Sequence, residues 1–461
     1  MHRICPLCLV LASLGTAAAQ SPADEDFHVY RDPPRLLLTP QRLRLIQRER
    51  ERQSVRWEQF EAVMSGAAPL AEPGFAWALY YRASGQAAAA RQAIEWALGD
   101  TASDLRQLAL VFDWCGPALA PAQADRLAQK IQRAVAAPGN DVRSESARVL
   151  AAIALADRLP DQGNAILSEV VQKWWRRQIV PQLASGRSVI PREQRYALFE
   201  MLHALRDNVK IDLRELAPAY FKDLAVAHLT GHYPAPLSAS ESSGPASEFL
   251  VPVYLHDGDP APADAAMSRA AGLAMVAYDT NALDSQLLQG WLMRDRFMMR
   301  GALGAAYEFL WANPYQPGLN YDQVPLVFHS VTGEVFARTS WDEDATWIGY
   351  FDGRLQLFQN GRLQTLRAGA SVKPVQVGTA TIASAPARDS AKFQVENETL
   401  FILGLTPRSE YAVEVDDQEL EFLDTDAGGT LQVTGLGGGG AGVRIRLRGP
   451  AMGDVAKSAI K

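Results

Sequence analysis

The sequence predicts a multidomain protein that is first helical and then β-stranded, with an incomplete (α/α) toroid of roughly ten helices followed by an antiparallel β-sandwich. Apolar residues recur every three or four positions as far as about residue 311, which is the period of amphipathic helices. After a proline- and glycine-rich stretch at residues 313–318, apolar and polar residues alternate with period two, as in strands. The 461 residues, of which 48% are apolar, suffice for two or three full-sized cores.

Residues 1–19 have the pattern of a secretory signal peptide, with Arg3 ahead of an apolar run and small residues up to Ala19. Cleavage near Ala19 predicts export to the periplasm or the extracellular space. Two of the three cysteines leave with this peptide, so Cys115 remains alone and no intramolecular disulfide is expected. Residues 20–34 are predicted to form a polar N-terminal arm.

The toroid domain is predicted over residues 35–312. Thr39 is placed as the N-cap of the first helix, with Pro40 at the first helical position, where a missing N–H costs nothing. Later helical faces are marked by Trp57, Phe60 and Met64; Leu105, Leu108 and Phe112; Leu127, Ile131 and Val135; Ile166, Val170 and Trp174; and Tyr196, Phe199 and His203. Short Pro/Gly breaks separate these stretches, so neighbouring helices should pack antiparallel.

A linker is predicted at residues 313–323, a β-sandwich domain at 324–450 and a C-terminal tail at 451–461. The strand-like segments are 324–328, 334–338, 346–350, 355–358, 400–403, 411–415 and 443–447. The glycine-rich run at 435–442 is expected to be a hairpin or linker, because it lacks the strand, helix and Lys-Ser/Thr pair of a phosphate-binding loop.

The formal net charge of −7 argues against nucleic acid and anionic membranes as partners. No apolar run outside the signal peptide reaches the roughly 18 residues that a membrane span needs. An acidic polysaccharide would require a locally basic cleft within this acidic protein. Composition and charge alone do not indicate a polysaccharide or oligosaccharide partner; that prediction rests on a resemblance to a known family. The oligomeric state stays open.

Residues 334–363 contain an Arg-x-Ser-Trp-x-x-x-Ala-Thr-Trp run, made by Arg338, Ser340, Trp341, Ala345, Thr346 and Trp347. This run resembles the start of the β-domain in secreted heparinase II/III-like polysaccharide lyases, and residues 35–43 and 108–114 are similar to earlier parts of that family. The resemblance implies the toroid-plus-sandwich fold and β-elimination next to a uronate. In the family a histidine-rich loop follows and binds a structural metal. Here residues 349–353 lead straight into the next strand without a histidine, so no metal and no cofactor are expected.

Three residues in the helical region are candidate catalytic groups. The resemblance implies that Tyr196 lies about where relatives carry a tyrosine ahead of a helix, and that Asn140 lies near an asparagine-rich segment. A tyrosine base and an asparagine near the carboxylate suit proton abstraction beside a uronate. His203 lies two turns along the same face as Tyr196. The alternatives are core packing for Tyr196 and His203 and an ordinary turn residue for Asn140.

His232 and Tyr233 lie side by side in a proline-rich loop, where functional residues concentrate, and are two further catalytic candidates; the alternative is a structured turn between helices. His228 and His232 are four residues apart, the spacing of two metal ligands on one helix face. Gly231 and Pro234 indicate that the helix has already ended, so a zinc site is not predicted.

Six residues are candidate substrate-binding groups. Arg294, Arg296 and Arg300 could pair with substrate carboxylates, or with Asp295 and Glu308 as structural ion pairs. Aromatic rings near the junction pack on the apolar faces of sugars or on one another. These rings are Trp311, Tyr315 and Tyr321.

Three functional hypotheses follow from the sequence. The first is a secreted heparinase II/III-like protein that acts on or binds polysaccharide, with a Tyr or His base if it is a lyase. The second is a non-catalytic carbohydrate-binding or envelope protein on the same scaffold, favoured by the missing histidines. The third is a glycoside hydrolase on a helical toroid, which needs two carboxylates across a cleft.

Overall fold

The computed structural model describes residues 27–235, 262–294, 301–366, 373–385, 390–416, 419–436 and 443–449. It confirms the predicted fold class, because helices occupy the described chain as far as Trp311 and strands follow from Val327. The predicted start of the first helix is also confirmed: the Thr39 side chain accepts a hydrogen bond from the Arg42 backbone N–H, and Pro40 is the first helical residue.

The helices of the described residues are α1 (Pro40–Glu51), α2 (Val55–Ser65), α3 (Pro73–Ser84), α4 (Ala87–Leu98), α5 (Leu105–Trp114), α6 (Pro121–Val135), α7 (Val142–Ala154), α8 (Pro160–Ser168), α9 (Val180–Ala184), α10 (Arg195–Val209), α11 (Pro218–Lys222), α12 (Leu224–Thr230), α13 (Pro262–Tyr278), α14 (Leu283–Arg294) and α15 (Gly301–Trp311). A π-helical segment, Glu169–Ile179, joins α8 to α9.

Six helices form an inner layer. Helices α3, α5, α7, α10, α13 and α15 contact one another in that order, and α15 also contacts α2 and α3, so the series returns to its start. Helix α10 illustrates why these helices lie inside: its apolar residues cover most of its circumference rather than one stripe, and nearly all of them are buried. Helices α4, α6 and α8 contact the outer side of this layer.

The strands are β1 (Val327–His329), β2 (Val335–Arg338), β3 (Trp347–Phe351), β4 (Arg354–Gln359), β5 (Arg362–Leu366), β6 (Val375–Val377), β7 (Ala380–Ser384), β8 (Ser390–Val395), β9 (Thr399–Leu403), β10 (Glu410–Val415), β11 (Glu419–Asp424), β12 (Leu431–Thr434) and β13 (Val443–Arg448). They form a five-stranded sheet in the order β1-β2-β3-β4-β5 and two four-stranded sheets in the orders β12-β9-β7-β6 and β11-β10-β13-β8.

The three sheets are stacked, with the β12-β9-β7-β6 sheet in the middle. Its residues Leu400 and Ile402 pack against the β11-β10-β13-β8 sheet, whereas Phe401 and Leu403 pack against the five-stranded sheet. This explains why β9 is a continuous apolar run rather than an alternating one. Among the described strands, β7 and β9 depart from the antiparallel pattern and run parallel, because the chain between them crosses into another sheet through β8.

Arg338 and Trp347 contribute two of the contacts between the helical and β-stranded parts. Trp347 on β3 donates its indole N–H to the Thr230 carbonyl at 2.9 Å, and Arg338 on β2 donates to the His232 carbonyl at 2.5 Å. Both carbonyls lie at or just beyond the C-terminal end of α12, where helix carbonyls lack partners of their own. Trp347 therefore satisfies the last carbonyl of α12, and Arg338 satisfies a carbonyl of the turn that follows it.

Candidate binding groove and the predicted site residues

A groove of about 910 Å³ lies where α1 begins and where α10, α13 and α15 end. The first turns of α1 form one wall and the segment after α15 forms another. The lining residues are Thr39, Pro40, Gln41, Arg42, Arg44, Leu45, Arg48, Arg206, Asp207, Ala277, Tyr278, Thr280, Trp311, Asn313, Tyr315 and Gln316. In the described part of the chain, the charged lining residues are four arginines and one aspartate, so this lining is basic although the whole chain is acidic.

Arg42 is fixed in the wall of the groove. Its guanidinium lies over the Trp311 ring at 4.1 Å from the centroid and donates to the Leu37 carbonyl at 2.6 Å. Burial is the main reason that the pKa of Arg42 falls to about 10; Arg206 adds to this effect and Asp207 opposes it. Arg42 is still charged at neutral pH, so it contributes a positive field at a fixed position.

Arg44 and Arg48 are the exposed arginines of the groove. They lie one turn apart on α1 and therefore present two guanidinium groups on one helix face. The Arg48 guanidinium lies 4.7 Å from the centroid of the Tyr315 ring, and Arg52 donates to the Tyr315 hydroxyl at 3.1 Å. Tyr315 is 45% exposed, so its ring and hydroxyl remain available to a ligand.

Arg206 is held from three sides. It donates to the Tyr278 carbonyl at 2.5 Å and to the Asp207 carboxylate at 3.1 Å, and it lies over the Tyr278 ring at 3.8 Å. Its Nη2 lies 3.4 Å from Nδ1 of His203. Arg206 therefore supplies charge to the groove, while most of its hydrogen bonds stay within the protein.

His203 lies beneath the groove and is fully buried. Its Nε2 is 3.0 Å from the Ala274 carbonyl, and because a carbonyl only accepts, Nε2 carries the hydrogen and Nδ1 accepts from Arg206. Burial, with Arg42 nearby, lowers the pKa of His203 well below its ordinary value. A neutral imidazole in this position orients Arg206 and packs against Trp311, at 4.7 Å between ring centroids.

Tyr196 lies on the other side of Trp311, inside the helical layer. Its hydroxyl donates to Glu200 at 2.5 Å and accepts from the Trp311 indole N–H at 3.0 Å. Arg106 binds Glu200 through two hydrogen bonds of 2.7 Å and Glu72 through one of 3.0 Å. Burial and then the neighbouring Glu200 raise the pKa of Tyr196 well above its ordinary value. In this arrangement the hydroxyl serves other side chains rather than the groove.

Trp311 lines the groove, but only 2% of its surface is exposed. One face carries Arg42 and the indole N–H is bound to Tyr196, so Trp311 holds the arginine wall rather than offering a free face. Of the predicted substrate-binding aromatics, Tyr315 is the one that the groove exposes. Tyr321 is 3% exposed and packs against Trp291 and Trp341 below the domain junction.

The remaining catalytic candidates lie elsewhere. Asn140 is exposed in the turn before α7, next to Asp141, which caps that helix. Tyr233 is fully buried against the five-stranded sheet, where its hydroxyl donates to Gln356 at 2.9 Å. His232 is 5% exposed and packs against Trp291 at 5.4 Å between centroids. The structure thus brings Tyr196, His203, Trp311 and Tyr315 together but leaves these three apart from them.

Arg294 is the last residue of α14, and nothing is described of its side chain, while Arg296 and Arg300 lie outside the described residues. Of the two carboxylates predicted as alternative partners of these arginines, Asp295 lies outside the described residues and Glu308 is bound by other arginines. Glu308 accepts from Arg269 at 3.1 Å and lies 3.5 Å from Arg56.

Among the described residues, no group of three or more His, Cys, Asp or Glu side chains is arranged to hold a metal ion. Cys115 is buried, and burial raises the pKa of its thiol to about 12. In the same part of the chain, no helix has both the length and the apolar character needed to cross a membrane.

The groove arginines were missed by the reasoning from sequence. The available signal was the density of arginines along the first helix, where positions 44, 48 and 52 are spaced by four. That spacing marks one basic helix face. This helix face meets Arg206 and Tyr315 in the groove through contacts between residues more than 150 positions apart, which the sequence pattern does not show.

Comparisons with known proteins add little. No protein-family model matches the chain, and no curated protein matches it. A solved structure titled as a glycoside hydrolase aligns with 92% of this chain and 76% of its own, at 8% sequence identity and a TM-score of 0.31. Likeness at this level assigns neither a family nor an activity.

Proposed function

We propose that this protein binds an acidic oligosaccharide or polysaccharide in the basic groove. The observation that carries the proposal is the concentration of Arg42, Arg44, Arg48 and Arg206 around one cavity in a chain whose net charge is −7. Asp207, the acidic member of the described lining, already accepts a hydrogen bond from Arg206. The groove therefore holds positive charge that an anionic ligand would neutralise.

The shape and chemistry of the groove favour a sugar over a simple ion. A cavity of about 910 Å³ is large enough for an oligosaccharide of several rings and much larger than one small anion needs. Exposed guanidinium groups bind carboxylate or sulfate oxygens through paired hydrogen bonds, and the exposed Tyr315 ring offers an apolar face for a pyranose. The family-like motif beginning at Arg338 adds an independent reason, because the resembling enzymes act on uronate polymers.

β-Elimination is the second candidate function, and Tyr315 is the observation that favours it. A base must remove the proton on the carbon beside the uronate carboxylate, the bond from the next carbon to the glycosidic oxygen must break, and that oxygen must take up a proton. Exposed arginines neutralise the carboxylate as charge develops. Tyr315 places an exposed phenol hydroxyl among them, hydrogen-bonded to Arg52.

Binding is tested by calorimetry of the full chain with oligogalacturonate, alginate and heparin oligosaccharides, and with neutral cello-oligosaccharides as the comparison. We expect binding of at least one acidic oligosaccharide and none of the neutral ones. Arg48→Ala should weaken that binding about tenfold, since a charged hydrogen bond contributes roughly 1.5–3 kcal/mol. Arg91→Ala, which changes an exposed arginine of α4 outside the groove, should leave it unchanged. Failure to bind any acidic oligosaccharide would overturn the proposal.

Elimination is tested with the same acidic oligosaccharides by following the ultraviolet absorbance of the unsaturated product. If elimination is the activity, Tyr315→Phe abolishes product formation while binding persists. Binding without product supports the non-catalytic alternative, and new reducing ends without an unsaturated product support a glycoside hydrolase.

Membership of the heparinase II/III-like group and export after cleavage near Ala19 form part of the same proposal. Both rest on sequence motifs, namely the β-entry run and the N-terminal apolar segment. Expression of the full chain followed by N-terminal sequencing of the exported product should give Gln20 as the first residue. Retention of an uncleaved chain in the cytoplasm would contradict export.

A further inference from the structure

Gln316 is an unusual residue in the lining of the groove. It is 7% exposed, and among the described residues neither Oε1 nor Nε2 of its side chain has a hydrogen-bond partner. Buried polar side-chain atoms are nearly always paired, because leaving them unpaired costs stability. Both polar atoms of this amide are buried and unpaired in a residue that lines the groove, so a turn of the side chain toward the cavity would let them pair with a ligand.

The position of Gln316 is fixed by its backbone. Its N–H donates to the Asn313 carbonyl at 3.2 Å, and its own carbonyl accepts from the Gln289 side chain on α14 at 3.3 Å. Three residues on, the Leu319 N–H donates to the Gln286 carbonyl, so the loop is anchored on α14 at two points. An anchored loop holds Gln316 at a fixed place in the lining of the groove that the arginines also line, which is what selective recognition needs.

The chemistry of a primary amide specifies its complement. Oε1 accepts and Nε2 donates, so a group that both donates and accepts satisfies the two atoms together. A sugar hydroxyl, or two neighbouring hydroxyls, has this property. Carboxylate, sulfate and phosphate oxygens only accept, so they satisfy Nε2 and place negative charge next to Oε1.

We propose that Gln316 is a specificity-determining residue of the groove, which pairs with a hydroxyl next to the negative charge of the ligand. The groove then selects hydroxyl-bearing acidic glycans over polyanions that lack hydroxyls. This inference rests on the proposed acidic-glycan function and deepens it: the arginines supply attraction to any anion, and Gln316 supplies the distinction among anions. Sites built to bond a hydroxyl discriminate strongly against ligands without one, because the protein groups are then left unpaired.

The test compares two ligands of matched charge on the full chain. Calorimetry at constant ionic strength is done with oligogalacturonate, or with the alginate or heparin oligosaccharide if that binds more tightly, and with inorganic polyphosphate. Gln316→Met keeps the length of the side chain and removes the amide. We expect it to weaken oligosaccharide binding about tenfold or more, as loss of one or two hydrogen bonds implies, and to change polyphosphate binding less than about twofold. Gln47→Met, an exposed change on α1 outside the groove lining, should alter neither.

The controls separate this inference from the proposed function. Arg48→Ala should weaken both ligands. The melting temperature of Gln316→Met should equal or exceed that of the parent, because an unpaired buried amide is removed. Unchanged oligosaccharide affinity in Gln316→Met, equal losses for both ligands, or a lowered melting temperature would overturn the role of Gln316 while leaving acidic-glycan binding in place. If the parent protein binds no acidic oligosaccharide, the proposed function and this inference fall together.

Discussion

The arginines inside the helical layer and the arginines of the groove differ in what faces them. Arg106 is matched by two carboxylates, since it binds Glu200 twice at 2.7 Å and Glu72 at 3.0 Å. Among the described residues that line the groove, four are arginines and Asp207 is the one carboxylate. The interior set is closed by its own partners, whereas the groove set keeps charge that a ligand can use.

Because of this difference, the interior arginines should matter for stability and the groove arginines for ligand binding. A buried ion pair depends on both partners, because removing one leaves an uncompensated charge in a medium of low dielectric. An exposed arginine contributes little to stability, and its charge is screened by salt. Replacing an arginine should therefore lower the free energy of unfolding strongly in the interior and leave it nearly unchanged in the groove.

Replacing Arg106 should give the largest loss of stability. Arg106→Met leaves Glu200, which is fully buried, without its cation, so we expect the free energy of unfolding to fall by about 3–5 kcal/mol. Arg44→Met in the groove should change it by less than about 0.5 kcal/mol. Urea denaturation of both variants measures the difference. Equal effects would mean that the two sets of arginines are not distinct.

A second interior carboxylate, Asp113, should make the free energy of unfolding depend on pH. Asp113 accepts from the backbone N–H groups of Arg35 and Leu36, and burial raises its pKa from 3.8 to about 6. Because the folded state then binds the proton more tightly than the unfolded state, the contribution of Asp113 to stability is largest below pH 4 and is lost as pH rises to 6. Relative to Asp113→Asn, the wild-type free energy of unfolding should fall by about 3 kcal/mol across this window. Urea titrations at successive pH values test this, and parallel pH curves for the two proteins would contradict it.

Salt should act on the groove and spare the interior. Raising sodium chloride from about 0.05 to about 0.5 M shortens the screening length severalfold, so affinity for an acidic oligosaccharide should fall about tenfold. The melting temperature should move little, because the Arg106 cluster is buried. Calorimetry with parallel thermal melts measures both quantities. Salt-independent affinity would show that the arginines do not carry the binding.

The smallest expected effect is at the boundary between the two regions. Tyr196→Phe removes the hydroxyl that joins Glu200 to the Trp311 indole, and should cost about 1–2 kcal/mol of unfolding free energy. Groove affinity should stay within about twofold, since Arg42 still packs on Trp311. Calorimetry and urea denaturation test these two statements. If elimination occurs and Tyr196→Phe abolishes it with binding intact, Tyr196 is the base, as the sequence predicted, and Tyr315 is not.

The parts of the fold that depend on short-range pattern were predictable. Thr39 and Pro40 mark the start of α1, and the buried face of α2 carries Trp57, Phe60 and Met64, because capping and helical period are set by neighbours in sequence. The β12-β9-β7-β6 sheet was harder to predict from the sequence pattern. Strand β7 is buried along its whole length, so it lacks the alternation that marks a strand with one exposed face.

The site was harder to predict than the fold, for a physical reason. Tyr196 and His203 were chosen for their chemistry, and the structure places them next to the groove but behind Trp311. Whether a polar side chain faces a cavity or a buried partner depends on residues distant in sequence, such as Glu200 against Arg106. Tyr315 lies in an irregular segment without a periodic signal; it was predicted as a substrate-binding aromatic from its place near the junction, and it is the exposed one of the three predicted rings.

The hydrogen bonds from Trp347 and Arg338 to the end of α12 bear on how the molecule can be taken apart. A fragment that stops after α15 would lack the donors for the Thr230 and His232 carbonyls and would uncover Tyr233, which packs on Trp347 and Phe358. Such a fragment would expose an apolar surface that favours aggregation, and the end of α12 would lose hydrogen bonds. We therefore expect the two parts to unfold as one cooperative unit, with Arg338 and Trp347 contributing to the contact that couples them.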